Sequence, residues 1–167
     1  MRKNSLALSH IQARATCLEL AELLRGTLRL GRVRRHPLAE ELALCRRYLE
    51  VERARFGDRL AVEERVEPAC LPLGVPPMLL QPLVENAVKH GVEPSPNGAD
   101  VKISAQRRGG SVVVKVTNTV PAGQGRPGHG VAQDNVRARL RLLHDVQAQF
   151  QTVLKDGLYQ VRIEVPA

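Results

Sequence analysis

The chain has 167 residues, a length that fits one domain of ordinary size or one compact domain with a smaller appendage. Its 43% hydrophobic and 25% charged residues exclude a disordered or membrane-embedded chain, and only 2% aromatic residues disfavour a nucleic-acid module that stacks bases on rings. The net charge of +8 lies mainly in the N-terminal third. It would suit DNA, an anionic membrane surface or a phosphorylated ligand, but an arginine-rich helix face exposed to solvent explains it as well.

The three cysteines, Cys17, Cys45 and Cys70, are too far apart in sequence to suggest a zinc site or a disulfide framework. Reduced thiols in the cytosol are therefore expected. The sequence contains no apolar run of membrane-spanning length, and its start, MRKNSLALSH, lacks the apolar segment and cleavage site of a signal peptide. These features together predict a cytoplasmic location.

Two amphipathic helices are predicted at the N-terminus. Apolar residues recur at steps of three and four from Leu6 to Leu30, and Gly31 ends that pattern. Pro37 opens a second periodic stretch that ends near Gly57. Because no strand precedes them, these helices are predicted to form a hairpin that has no sheet to lie on and needs a partner helix or subunit.

After Gly57 the sequence changes to an alternation of strands and helices. Pro76 and Pro77 are predicted to set the first turn of an apolar helix that kinks or starts as a 3₁₀ turn at Pro82 and ends with Gly91 as its cap. The predicted order is a strand over 60–66, that helix, strands over 101–106 and 111–117, a glycine-rich loop over 120–130, a helix over 131–146, and strands over 149–155 and 158–165. This order predicts an α+β fold, a two-layer sandwich in which helices cover one face of a mixed sheet.

Polar residues gather in the last two turns of the predicted apolar helix. At helical spacing Glu85, Asn86, Lys89 and His90 form one stripe. The Asn carbonyl oxygen can coordinate a hard cation, and Lys can meet a phosphate as a point charge. The alternative is an ordinary amphipathic helix that shows its polar side to solvent, but it does not explain why polarity is confined to these turns.

The second candidate site is the loop that contains Gly123, Gly125, Gly128 and Gly130 and runs directly into a predicted helix. Glycines let backbone amides approach a phosphate, and the helix N-terminus adds a positive dipole end. The loop matches neither a Rossmann nor a P-loop motif. The alternative is a disordered surface loop.

These two segments, in this order, resemble the ATP-binding domain of LytS-like sensor histidine kinases. The matching text is PLAEELALCRRYLEVERARFGDRL, VPPMLLQPLVENAVKHGV, VVVKVTNTVPAG, GHGVAQDNVRARL and YQVRIEVP, which spans nearly the whole chain. The resemblance implies the Bergerat (GHKL) fold, with Asn86 holding Mg²⁺ on the phosphates of ATP. It further implies nucleotide contacts by Lys89 and His90 beside it, Asn118 at the adenine, Gly128 and Gly130 in the lid, and Asn135 on the next helix.

The chain also departs from the family pattern. Where the family commonly has DNGxG, this chain has Asn118-Thr119-Val120-Pro121-Ala122, and the third glycine of the second box is Ala132. An uncharged acceptor forms a weaker hydrogen bond than a carboxylate, so weak ATP affinity is expected. The phosphoacceptor histidine motif is absent, because His10 lacks its context. We expect that this chain alone does not autophosphorylate.

The resemblance implies transfer of the γ-phosphoryl group of ATP to a histidine and then to a response regulator. Residues 1–57 are read as part of a dimerisation and histidine-phosphotransfer hairpin, and 58–167 as the ATP-binding catalytic domain, in a homodimer that contacts no nucleic acid directly. Glu85 could polarise the attacking imidazole, although related ATPases carry their acid four residues before the Asn, where this chain has Pro82. The rival reading is a degenerate pseudo-kinase that works by protein contact, and the natural protein could be longer and membrane-anchored.

Overall fold

A computed structural model describes residues 35–121 and 149–167, together with five isolated helical positions between 13 and 21. The isolated positions fall within the first predicted helix. Most of that helix, the glycine-rich loop beyond residue 121 and the helix predicted over 131–146 lie outside the described residues.

A mixed five-stranded sheet forms one layer of the fold. The described strands are β1 (His36–Pro37), β2 (Leu60–Val66), β3 (Gly74–Val75), β4 (Ala99–Arg108), β5 (Ser111–Thr119), β6 (Gln149–Lys155) and β7 (Leu158–Pro166). The sheet has the order β2-β4-β5-β7-β6, while β1 and β3 form a separate pair. β2 runs parallel to β4, and the other neighbours in the sheet are antiparallel. All five predicted strands are confirmed.

Side chains alternate across the sheet, so one face is buried and the other is polar. Val101 and Ile103 of β4 are fully buried, while Lys102 between them is part-exposed on the opposite face. The same alternation buries Val161 and Ile163 of β7. Helices therefore cover a single face, which confirms the α+β two-layer sandwich.

Helix α1 (Leu38–Phe56) is one of the covering helices. Its Leu38, Leu42, Cys45 and Leu49 are buried in the same core as the sheet residues. The prediction that this helix has no sheet to lie on is therefore wrong. The connection from β2 to the parallel strand β4 carries α2 onto this face of the sheet, and α1 packs there as well, from the N-terminal side of the chain.

Helix α2 carries the motif that resembles the histidine kinases, and its observed bounds differ from the predicted ones. The α-helical part runs over Gln81–Ala87 and continues as a π-helical turn over Val88–Val92. The helix does not begin at the proline pair, because Met78 has a φ of 60° and cannot lie in a right-handed helix. Pro82 lies in its first turn, where a missing N–H costs nothing, and the Leu83 N–H donates at 3.0 Å to the Leu80 carbonyl three residues back, as in the 3₁₀ start that was predicted. Gly91 lies inside the π turn and is not a cap.

None of the described helices is both long and apolar enough to cross a membrane.

Candidate functional site

The C-terminal end of α2 lies against the end of β5, and a glycine makes this approach possible. A Cβ atom at Gly91 would lie 2.9 Å from Asn118 Nδ2 and 2.9 Å from the Thr119 carbonyl oxygen. Real Cβ atoms do not approach other atoms that closely, so only glycine fits without a shift. This contact joins the two predicted motifs, because α2 carries Asn86 and β5 carries Asn118.

Asn118 is fixed by its own strand. It is 3% exposed, and its Nδ2 donates a hydrogen bond of 3.0 Å to the Thr119 carbonyl. On β5 it pairs with Val101 of β4 and Tyr159 of β7. One of its two N–H donors is used in this way, and its Oδ1 is a hydrogen-bond acceptor.

The polar residues of α2 differ in exposure: Asn86 is only 7% exposed, His90 is half-buried and Lys89 is exposed. The helix also changes type in this segment, since the Glu93 N–H donates to the Val88 carbonyl at 3.1 Å, five residues back in place of four. Their action as one polar stripe stays a prediction. Burial, and after it the positive charge of Lys89, lowers the pKa of His90, so this imidazole is mainly neutral near pH 7.

Glu85 lies on the side of α2 that faces α1. Its Oε1 accepts a hydrogen bond of 3.1 Å from Gln81 Nε2. Burial, reinforced by the negative charges of Glu52 and Glu85, raises the pKa of Tyr48 on α1. The carboxylate of Glu85 therefore belongs to the contact between the two helices. Its role in polarising an imidazole stays a prediction.

A small acidic group surrounds Tyr48 at this contact. Glu52 is half-buried, and burial raises its pKa, while the nearby charge of Arg55 opposes this effect. Arg55 Nη1 lies 3.1 Å from Glu93 Oε1 and 3.8 Å from Glu52 Oε2. One exposed arginine thus partly neutralises two carboxylates on different elements.

Two charged residues that the sequence analysis did not select hold the ends of α2. The fully buried carboxylate of Glu41 accepts hydrogen bonds from the backbone N–H groups of Leu79 and Leu80, the second at 3.2 Å. Arg59 donates to the carbonyl oxygens of Val92 at 3.1 Å and Ser95 at 2.8 Å. One feature of the sequence could have identified Glu41: it is a charged residue next to Leu42 on the buried face of α1.

The donor types present suit magnesium and a polyphosphate. The Asn86 carbonyl oxygen is a hard ligand of the kind Mg²⁺ accepts, and the exposed ammonium of Lys89 follows three residues later on the same segment. Within residues 35–121 and 149–167, no His, Cys, Asp or Glu side chains form a group that could hold a metal ion. The predicted lid and helix residues Gly128, Gly130 and Asn135 lie outside the described residues.

Known proteins resemble this chain in sequence. A family model described as histidine kinase matches residues 3–60. The chain is 28% identical to the sensor protein LytS of Oceanobacillus iheyensis, a match that covers 89% of this chain and 28% of that protein. It is 31% identical to the sensor histidine kinase YpdA of Escherichia coli, covering 84% of this chain and 26% of that protein. The chain thus spans just over a quarter of the length of these relatives.

Solved structures resemble it in fold. The catalytic domain of the histidine kinase ThkA, in a nucleotide-free form, superposes with a TM-score of 0.62 at 16% identity, covering 79% of this chain and 94% of that one. Full-length ShkA in complex with AMPPNP superposes with a TM-score of 0.55 at 17% identity, covering 99% of this chain and 39% of that one. The fold is therefore that of histidine kinase catalytic domains.

Proposed function

We propose that this chain is an ATP-binding portion of a LytS-like sensor histidine kinase, a proposal that its motifs, its relatives and its fold support. In this proposal the reaction is transfer of the γ-phosphoryl group of ATP to a histidine, and from there to a response regulator. A neutral imidazole is itself nucleophilic, so the domain's task is to position the nucleotide and screen its charge.

Each motif residue has one task in this proposal. Asn86 holds Mg²⁺ through its carbonyl oxygen, and the metal neutralises charge on the phosphates when bound. Lys89 contacts phosphate, His90 lies beside it as a neutral group, and Asn118 accepts a hydrogen bond from adenine. Gly128, Gly130 and Asn135 contribute from the lid and the helix after it.

The contact of Gly91 with Asn118 supports this proposal most strongly. The two residue types that the family uses for metal and for adenine lie on different elements, with the whole of β4 between them in the sequence. The absence of a side chain at Gly91 lets these elements touch. If α2 and β5 served only to stabilise the fold, their polar segments would not have to approach each other so closely.

The larger assembly is also part of the proposal. Residues 1–57 would contribute to a dimerisation and histidine-phosphotransfer hairpin, and 58–167 would form the catalytic domain of a cytoplasmic homodimer. Because α1 packs into the core of the sheet, that hairpin and the catalytic domain share this helix.

Isothermal titration with AMPPNP and Mg²⁺ tests the proposal. Wild-type protein should bind only when Mg²⁺ is present, and Asn86→Ala should lose binding while its melting temperature stays nearly unchanged. Asn97→Ala, an exposed asparagine that follows α2, is the matched control and should bind like the wild type. Equal affinity of the Asn86 and Asn97 variants would refute the assignment of the metal site.

A second candidate function rests on one observation, the uncharged Asn118 at the position where the family commonly has an aspartate. A pseudo-kinase would keep the fold and act through protein contacts. The same titration separates the two functions, because a pseudo-kinase of this kind would show no binding of AMPPNP with or without Mg²⁺.

A further inference from the structure

Helix α2 has no side-chain caps of its own. Neither Leu80, which precedes it, nor any residue of its first turn forms a capping hydrogen bond from a side chain. The first N–H groups and last carbonyl groups of a helix lack partners within the helix, so something else must satisfy them. Just before the helix, Glu41 of α1 accepts from the N–H groups of Leu79 and Leu80. At the C-terminal end, Ser95 Oγ donates to the Gly91 carbonyl at 2.6 Å, and Arg59, from the turn after α1, donates to the carbonyls that follow.

At the N-terminal end the partner is Glu41. This residue lies in the first turn of α1 and is 0% exposed, and its Oε1 accepts hydrogen bonds from the N–H groups of both Leu79 and Leu80. Burying a carboxylate is costly unless it is hydrogen-bonded. Leu38 and Leu42 fill the same helix face without that cost, so packing alone does not call for a carboxylate at this position.

At the C-terminal end the partner is Arg59. Its guanidinium donates to three carbonyl oxygens, those of Val92, Glu93 and Ser95, at 2.8 to 3.3 Å. Gly98 packs closely against the backbone of Arg59, because a Cβ at Gly98 would lie 2.4 Å from the Arg59 carbonyl oxygen. The planar guanidinium group donates to several acceptors at once, so it fixes the orientation of these carbonyl groups as well as attracting them.

We propose that Glu41 and Arg59 are positioning residues of the nucleotide site, which hold α2 at both ends so that Asn86 stays in register with Asn118. This inference rests on the proposed function. Asn86 lies between the two clamped ends, five residues after Gln81 and six before Val92. Both clamps bind backbone groups at the ends of α2, so their effect on the ligand passes through the placement of the helix.

The variants are Glu41→Gln, Glu41→Ala and Arg59→Lys, each titrated with AMPPNP and Mg²⁺ at a temperature where circular dichroism shows it folded. Glu41→Gln keeps an Oε1 that can accept from both N–H groups but removes the negative charge, so it should lose less than Glu41→Ala, for which at least a tenfold loss of affinity is expected. Arg59→Lys keeps the charge but not the fork, and should also weaken binding about tenfold.

Arg46→Gln is the matched control. Arg46 lies on the same helix α1 and forms a bidentate pair with Glu64 of β2, but it does not contact α2. This variant should bind AMPPNP within about twofold of the wild-type affinity, since exposed ion pairs contribute little to stability. Wild-type affinity in both Glu41→Gln and Arg59→Lys would overturn the inference.

Amide hydrogen exchange gives a second readout that does not depend on nucleotide. Glu41→Gln and Arg59→Lys should speed exchange within Gln81–Val92 and leave β7 unchanged. Exchange that rises equally in both segments would show a merely structural role and overturn the inference. If wild-type protein fails to bind AMPPNP, the proposed function is wrong, and the exchange experiment alone still decides whether the clamps hold the helix.

Discussion

Helices α1 and α2 lie on the same face of the sheet but are held in different ways. α1 is 19 residues long, with acidic residues in its first turn, basic residues in its last and a buried apolar face against the core. α2 has seven α-helical residues and a π turn, and its ends depend on Glu41 and Arg59. Both helices pack into the same core, α2 through Leu83, Val84 and Val88. The comparison teaches that α1, the supporting helix, is placed by its long apolar face, whereas α2, the short site-bearing helix, is held at both ends by side chains of other elements as well.

The largest effect is expected in the supporting helix. Leu42→Ala removes a fully buried side chain from the core that α1 shares with the sheet, which should cost about 2 to 5 kcal/mol of unfolding free energy. Urea denaturation followed by circular dichroism measures this loss. Val153→Ala, on a side chain that is 51% exposed, is the control and should change the free energy by less than about 0.5 kcal/mol. Equal losses in the two variants would show that α1 does not share the core.

A smaller loss of stability, but a larger loss of function, is expected where α2 meets β5. Gly91→Ala introduces a methyl group that must displace Asn118 or the backbone of Thr119, which should cost about 1 to 3 kcal/mol. Because the displaced group belongs to the proposed adenine site, affinity for AMPPNP should fall beyond what the stability loss explains.

The matched control for Gly91 is another glycine. A Cβ atom at Gly110 would meet no other atom within 4 Å, so Gly110→Ala should leave both stability and AMPPNP binding nearly unchanged. Titration and denaturation of the two alanine variants side by side provide the measurement. If Gly91→Ala behaves like Gly110→Ala, the contact between α2 and β5 does not position the site.

The smallest effect is expected at the contact between the two helices. Burial raises the pKa of Glu52, so the folded state disfavours its ionised carboxylate. The protein therefore has its full stability below the pKa that Glu52 has in the unfolded chain, and it loses part of that stability as the pH rises through the higher pKa of the folded state. Glu52→Gln should therefore raise the unfolding free energy at pH 7 by less than about 1 kcal/mol, and this gain should vanish near pH 4. Denaturation at both pH values measures it, and a loss of stability at pH 7 would contradict the account.

The two hairpins of the sheet were predictable because their signals are local. Asp156 and Gly157, with φ of 53° and 74°, form the two-residue turn expected between β6 and β7, and β4 and β5 turn at Gly109 and Gly110 as predicted. Turn residues specify these connections without help from distant parts of the chain.

The placement of α2 was not predictable, because its determinants lie far away in the sequence. Glu41 fixes its start from 38 and 39 residues upstream, and Arg59 fixes its end from about as far. The sequence therefore predicted candidate site residues, but it did not predict where the helix begins, which of its residues are buried, or that Gly91 serves packing in place of capping.

The central claim is that one nucleotide site unites Asn86 of α2 and Asn118 of β5. The most direct test follows the side-chain NH₂ signals of both asparagines by NMR while AMPPNP and Mg²⁺ are added, with the exposed Asn97 as an internal reference. Both signals should shift along one binding curve with a single Kd, while Asn97 stays in place. Unchanged signals at saturating nucleotide, or a shift of one asparagine without the other, would contradict the account.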